Sequence, residues 1–344
     1  LKYYIYLAIT FFIVVYFLGI IYFNFSSENS SSYINWSIPW LILILVSSLS
    51  LLTMPFLAIL EGAGKINEIY KLRIIQILMG SILAWILIYL NFPLYAASMI
   101  LLSTFIVTFV WTMFFKGKII FDTARINLPK KNYIWKDEIW PFQWKVGTTW
   151  LSSFIFLQIY TPLLFYFNSP VEAGQMGLSL AILNMLALLS HSWITNKIPS
   201  LTKAATEKNW ILFDSLFIKA YIASNIFLIC SSILLVIFYN YINYFNIQNR
   251  ILSFNDFIIL IIIVFLNHQI NCMVANLRSH KREPLVWILF SGSLITVVLG
   301  FFAIKYYSIS LLVLIILLVQ FFYMIPISYY KWKETNNLER GKSS

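Results

Sequence analysis

The chain has 344 residues, 60% of them hydrophobic and only 11% charged, with a mean hydropathy of +0.82; these figures exclude a string of soluble domains and describe a membrane protein. The formal charge of +11, from 24 Lys and Arg against 13 Asp and Glu, invites a nucleic-acid reading, so the positions of the cations decide its meaning. Apolar runs long enough for a helix to cross roughly 30 Å of hydrocarbon predict ten spans. In chain order they are Tyr3 to Phe23, Ile38 to Leu60, Tyr70 to Leu90, Leu94 to Phe115, Val146 to Phe167, Met176 to Trp193, Leu216 to Tyr239, Phe257 to Leu277, Leu285 to Ile304, and Ile309 to Tyr329. The runs are continuous rather than alternating, which excludes a transmembrane β-barrel and predicts an all-α polytopic membrane protein.

With residue 1 on the inner side, 22 of the 24 cations fall in alternate connections on that side, and only Arg250 and Lys305 fall outside them. The positive-inside rule therefore predicts both ends of this chain on the cytoplasmic face, and the charge is an orientation signal rather than a nucleic-acid site. Tryptophans mark the boundaries: Trp36 and Trp40 flank an outer start, while Trp193, Trp210 and Trp332 lie near inner ends. The longest basic connection, 116–145, mixes cations with Trp135, Trp140 and Trp144, and predicts a short interfacial helix over Tyr133 to Trp140, ended by Pro141. The predicted organisation is a four-span bundle at 1–115, a linker at 116–145, a six-span bundle at 146–329 and a tail at 330–344.

The first four spans and the last four share a rhythm, with starts offset by 213, 219, 215 and 215 residues. An even number of spans between equivalents predicts two pseudo-symmetric bundles of parallel topology, on a twelve-span plan of which ten are present. The repeat thus leads us to expect two further spans before Leu1.

Local motifs lie on this frame. They are Leu60-Glu61-Gly62-Ala63-Gly64-Lys65, Trp140-Pro141-Phe142-Gln143-Trp144-Lys145, Val171 to Ser179 (VEAGQMGLS), Ser192-Trp193-Ile194 and Lys197-Ile198-Pro199. In order and spacing the chain resembles the polysaccharide-flippase branch of the multidrug/oligosaccharidyl-lipid/polysaccharide exporter superfamily. The resemblance implies a transporter, not an enzyme, that moves undecaprenyl-diphosphate-linked repeat units for O-antigen, capsule or exopolysaccharide between the leaflets of the bacterial inner membrane. It implies the lipid-linked glycan and membrane lipids as partners, with a polysaccharide polymerase and a chain-length regulator beside them.

Moving a diphosphate and many hydroxyls through hydrocarbon requires a polar cavity, because each unpaired polar group there costs several kcal/mol. Stripes at helical spacing identify candidate linings. Gly177, Asn184, His191 and Thr195 share a face of the sixth span, Asn267, Asn271 and Arg278 of the eighth, Arg73, Gln76 and Gly80 of the third, and Lys145, Thr149 and Ser152 of the fifth, where Gln158 lies nearer the outer end. Arg73, Arg278, Lys219 and Lys145 are the expected diphosphate contacts, since cations, and Arg bidentately, hold phosphate oxygens. Gln76, Gln158, Asn184, His191, Asn267 and Asn271 are the expected sugar contacts. Each polar residue has a second reading as interhelical packing, and Lys219 one as a side chain snorkelling to the interface. Gly174 and Gly177 are expected to permit close backbone approach, Gly62 and Gly64 a tight inner turn, and Pro55, Pro162 and Pro326 kinks within spans.

No cofactor or metal is expected. Cys230 and Cys272 are far apart in sequence, supporting neither a disulfide framework nor a metal cluster, and His191 and His268 read as bundle histidines. Gly64-Lys65 is not a Walker A loop, since residue 59 is Ile and residue 66 is Ile. No acid lies deep in a span, which counts against a proton relay and against a cation-coupled drug exporter. The outer connections lack the acid pairs that an integral-membrane glycosyltransferase or polymerase needs.

Overall fold

A computed structural model describes residues 2–27, 36–62, 66–115, 137, 140–242 and 250–341. Ten segments are long and apolar enough to cross a membrane, one for each predicted run, and no strand occurs among the described residues. The protein is an all-α polytopic membrane protein. The predicted interfacial helix lies outside the described residues except for Asp137 and Trp140, as does the turn at Gly64. The chain forms two compact units, Leu1–Lys131 and Asn132–Ser344, which divide inside the predicted linker.

Unit 1 contains α1 (Lys2–Ser27), α2 (Ser37–Leu51), α3 (Met54–Gly62), α4 (Ile66–Tyr89) and α5 (Pro93–Phe115). Within it α1 packs on α2, α2 on α5 and α4 on α5. The last contact is close because Gly80 has no side chain: a Cβ there would lie 3.1 Å from the Ile100 Cα. It is fastened by Gln76, whose amide donates to the Thr108 hydroxyl (2.6 Å) and whose carbonyl accepts from Ser103 (3.0 Å).

Unit 2 contains α6 (Trp140–Gln158), α7 (Tyr160–Phe167), α8 (Pro170–Thr195), α9 (Ile198–Thr206), α10 (Trp210–Ile242), α11 (Phe254–Ser279), α12 (Val286–Tyr306), α13 (Ile309–Val319), a π-helical turn (Gln320–Met324) and α14 (Ile325–Glu339). Its axis is α11, which packs on α8, α9, α10, α13, the π-helical turn and α14. Buried Leu260, Ile263, Leu285, Leu312, Val313 and Ile316 fill the centre around Tyr160. With lipid tails outside, such a core is held by close packing and hydrogen bonds rather than by exclusion of water. Three helices begin on serine caps that bind the first free N–H groups: Ser169 receives Glu172 N, Ser253 receives Asp256 N and Ser308 receives Leu311 N.

The three span prolines interrupt their helices at the carbonyl that each leaves without a donor, four residues upstream. Pro55 follows the end of α2 at Leu51, Pro162 follows the end of α6 at Gln158, and Pro326 follows the π-helical turn containing Phe322. Two glycine expectations are corrected. A Cβ on Gly174 would meet nothing within 4 Å, and one on Gly177 would make ordinary contact with a Thr161 methyl at 3.4 Å. The crowded glycines in unit 2 are Gly292, where a Cβ would lie 2.6 Å from Met324 Cγ, and Gly300, where it would lie 2.9 Å from both Leu312 Cδ1 and Tyr160 Cε1.

The helices also outrun their apolar cores. The sixth span starts at Pro170 and continues beyond Thr195 into α9, and the seventh starts at Trp210. The tenth carries helix to Glu339, through most of the segment read as a tail.

Candidate functional site

The basic end of unit 2 is where α9, the start of α10 and the ends of α11 and α14 meet. An Arg340 fork grips Asp214 through two bonds of 2.9 and 2.6 Å, and Arg282 pairs with Glu339 at 2.7 Å. His280 stacks on Trp210 with ring centroids 5.4 Å apart, and the Phe213 ring meets it edge-on at 4.6 Å. Burial holds the His280 imidazole below its ordinary value of 6.5; nearby Glu339 pulls upward and Arg340 downward.

Above this collar a cavity of about 480 Å³ opens between α10, α11 and α14. Its walls carry four amides, Gln269, Asn276, Asn336 and Asn337, and the rings of Tyr221, Tyr329 and Trp332, with Lys333, Arg340 and Asp214 at the basic side. The amides are oriented by their neighbours. Gln269 donates to Asn225 Oδ1 (2.6 Å) and accepts from the Tyr221 hydroxyl (2.6 Å), and Asn276 accepts from the Trp332 indole (2.9 Å). Tyr329 and Trp332 lie 5.8 Å apart and 33° from parallel. Such a wall offers donors and acceptors for hydroxyls and flat faces for C–H surfaces, a combination suited to a sugar. The groove in unit 1, lined by Ile5, Ala8, Ile9, Phe12, Leu45, Ser48, Leu49 and Leu52, is apolar by contrast. Its one hydroxyl, Ser48, donates to the Leu45 carbonyl.

None of the ten expected site residues lines the 480 Å³ cavity. In unit 1, Gln76 is buried in the α4–α5 bond already described, and Arg73 is exposed on the same helix. In unit 2, Gln158 and Lys219 are exposed, and Asn184, Asn267 and Asn271 are half-buried. Lys145 is half-buried, with its ammonium 5.9 Å from the Trp144 ring. Two of the expected diphosphate cations act on one carboxylate. Arg278 forms an ion pair with buried Glu283, and the Lys145 charge also acts on Glu283. Burial raises the Glu283 carboxyl above its ordinary 4.5, against the hydrogen bond and charge of Arg278 and the charge of Lys145. The Arg278 Nη2 is buried and has no hydrogen-bond partner, so the guanidinium keeps donor capacity beyond its salt bridge.

His191 meets His268, ring centroids 5.9 Å apart at 89°. Together with Cys272 they offer ligand atoms that all lie within 4.8 Å of one another. This grouping was hidden in sequence, because two helices, α9 and α10, lie between His191 and Cys272. The Gln269 and Asn276 wall was equally hidden: i, i+7 spacing was present, but on the opposite face of the helix from the Asn267 stripe.

The architecture defines the class as a multi-pass α-helical membrane protein with a polar, aromatic-walled cavity at the basic end of its second unit. Comparison with protein-family models, curated proteins and solved structures finds no match to the chain.

Proposed function

We propose that the protein is a lipid-linked oligosaccharide flippase, carrying undecaprenyl-diphosphate-linked repeat units from the inner to the outer leaflet of the bacterial cytoplasmic membrane. The observation that carries this reading is the cavity between α10, α11 and α14, whose amides and aromatic rings suit a glycan within a membrane-spanning bundle. The cations in its wall, Lys333 and Arg340, suit the diphosphate that follows the sugars. The orientation read from the cations puts this end on the cytoplasmic side, where such a ligand would load.

The test is flux in vesicles. Protein reconstituted in liposomes with a polyprenyl-diphosphate oligosaccharide is expected to expose the glycan to a membrane-impermeant glycosidase faster than empty vesicles do. Gln269→Ala and Trp332→Ala should each slow that exposure by roughly tenfold, the loss of one hydrogen-bonded or stacked contact worth about 1.4 kcal/mol. Flux equal to that of empty vesicles would end the flippase reading. Lengthening of the glycan in the same vesicles would instead assign a polymerase.

A further inference from the structure

We propose that His191, His268 and Cys272 form a binding site for a borderline-soft transition-metal ion, of the zinc or cuprous-copper kind, inside unit 2. His268 and Cys272 lie one turn apart on α11 and so share a face. That face packs against α8, which supplies His191. One ligand atom from each of the three side chains lies within 4.8 Å of the others. One pair, His268 Nε2 and Cys272 Sγ, is 3.5 Å apart. Two corners of a tetrahedron with metal–nitrogen bonds near 2.0–2.1 Å and metal–sulfur near 2.3 Å are about 3.5 Å apart, so this pair already has the bite of a chelate.

A second observation is independent of that spacing. The Nδ1 of His191 is buried and has no hydrogen-bond partner, an expensive condition for a ring nitrogen in a bundle interior. A metal ion bound there removes the cost by using the nitrogen lone pair. Ser224 shares its hydroxyl between His268 Nε2 (2.8 Å) and the Ser190 carbonyl (2.7 Å). On metal binding it gives up the first contact and keeps the second.

The donor set selects the ion. Two imidazoles and one thiolate, with no carboxylate among the three, disfavour sodium, magnesium and calcium and suit zinc or cuprous copper. Three protein ligands leave a fourth position for water or another donor. Access comes through the cavity, since Cys272 lines it beside Gln269 and Tyr221. Binding needs the thiolate, so the Cys272 proton passes to water through that opening and one proton is released per ion bound.

The site is tested without any transport assay, so its failure is separable from failure of the flippase reading. Full-length protein in nanodiscs is titrated with Co²⁺ as an optical probe for the zinc site, and separately with Cu⁺ held in a competing chelator. The expected result is one ion per chain. Co²⁺ should show a near-ultraviolet thiolate-to-cobalt band that Zn²⁺ removes, or Cu⁺ should bind stoichiometrically with one sulfur in its X-ray absorption shell. Cys272→Ser should abolish the sulfur signature, and His191→Ala should weaken binding by at least roughly tenfold. Cys230→Ser, at an exposed thiol, should change neither. Gel-filtration profile and helical circular dichroism check that the variants fold, and X-ray absorption of the unmutated protein reads the ligands without any variant. Binding below stoichiometry for every probe, a sulfur signature that survives in Cys272→Ser, or a shell of nitrogen and oxygen alone would overturn the proposal.

Discussion

Glu283 is almost wholly enclosed, its side chain 1% exposed against 26% for its partner Arg278. Removing the guanidinium leaves a buried carboxylate that must either stay charged or take up a proton. Arg278→Ala is therefore expected to destabilise the protein by about 3 kcal/mol, read as a lower melting temperature in detergent, with Glu283→Gln in the same background recovering part of the loss. His280 gives a pH dependence of defined sign. Its imidazole is held below the ordinary 6.5, so the unfolded chain binds the extra proton first. The stability it contributes is complete above about pH 6.5 and is lost as pH falls from there through the lowered folded value. Thermal melts across that range should show the decline, and His280→Gln should flatten it. At this scale the sequence was partly legible. Helical spacing placed His191 on an interior face, but it put the polar lining of α11 on Asn267 and Asn271. The enclosed residues are the next ones along, His268 and Cys272, a rotation of about 100°. Spacing gives the members of a stripe but not its azimuth; the neighbours that set the azimuth are distant in sequence.

The breaks at Pro55, Pro162 and Pro326 were legible because a missing N–H has a fixed position in a helix. The ten spans were legible because hydropathy over a bilayer's thickness is a strong signal. Their extensions were not: Trp210 to Ser215 and Lys331 to Glu339 mix polar and apolar residues, and it is packing between α10, α11 and α14 that keeps them helical. Close packing also separates the glycines. Gly300→Ala pushes a methyl to 2.9 Å from the Tyr160 ring, and rings in a packed core yield little, so a loss of about 1–3 kcal/mol is expected. Gly147→Ala, in a helix with nothing within 4 Å of the new methyl, should be neutral or stabilising by up to about 1 kcal/mol. Melting temperatures of the two variants, measured side by side, check the contrast.

Across the whole chain, the two units pack equivalent spans in the same order. In unit 1 the first span contacts the second, the second the fourth, and the third the fourth; in unit 2 the seventh contacts the eighth, the eighth the tenth, and the ninth the tenth. In unit 1 the second span also contacts the third, through α3 and α4, a pairing without a counterpart of that extent in unit 2. Orientation rests on charge and is open to direct test. With both native thiols replaced by serine, Glu207→Cys is expected to react with an impermeant maleimide only from the cytoplasm, and Tyr307→Cys only from outside. The reverse labelling would invert the topology.

α10 is longer than a bilayer crossing needs. Its 33 residues make a helix about 50 Å long, some 20 Å more than the hydrocarbon thickness of about 30 Å. Set along the bilayer normal with the surplus shared equally, it would leave about 10 Å clear on each side, which covers the first two turns from Trp210 to Phe217. Asp214 and its Arg340 fork then sit among lipid headgroups, where hydration eases the burial of charge. Both residues line the cavity, so that part of its wall lies at the same depth. For the flippase proposed above, that depth would let a lipid-borne sugar chain enter sideways while its diphosphate stays at the level of its own leaflet.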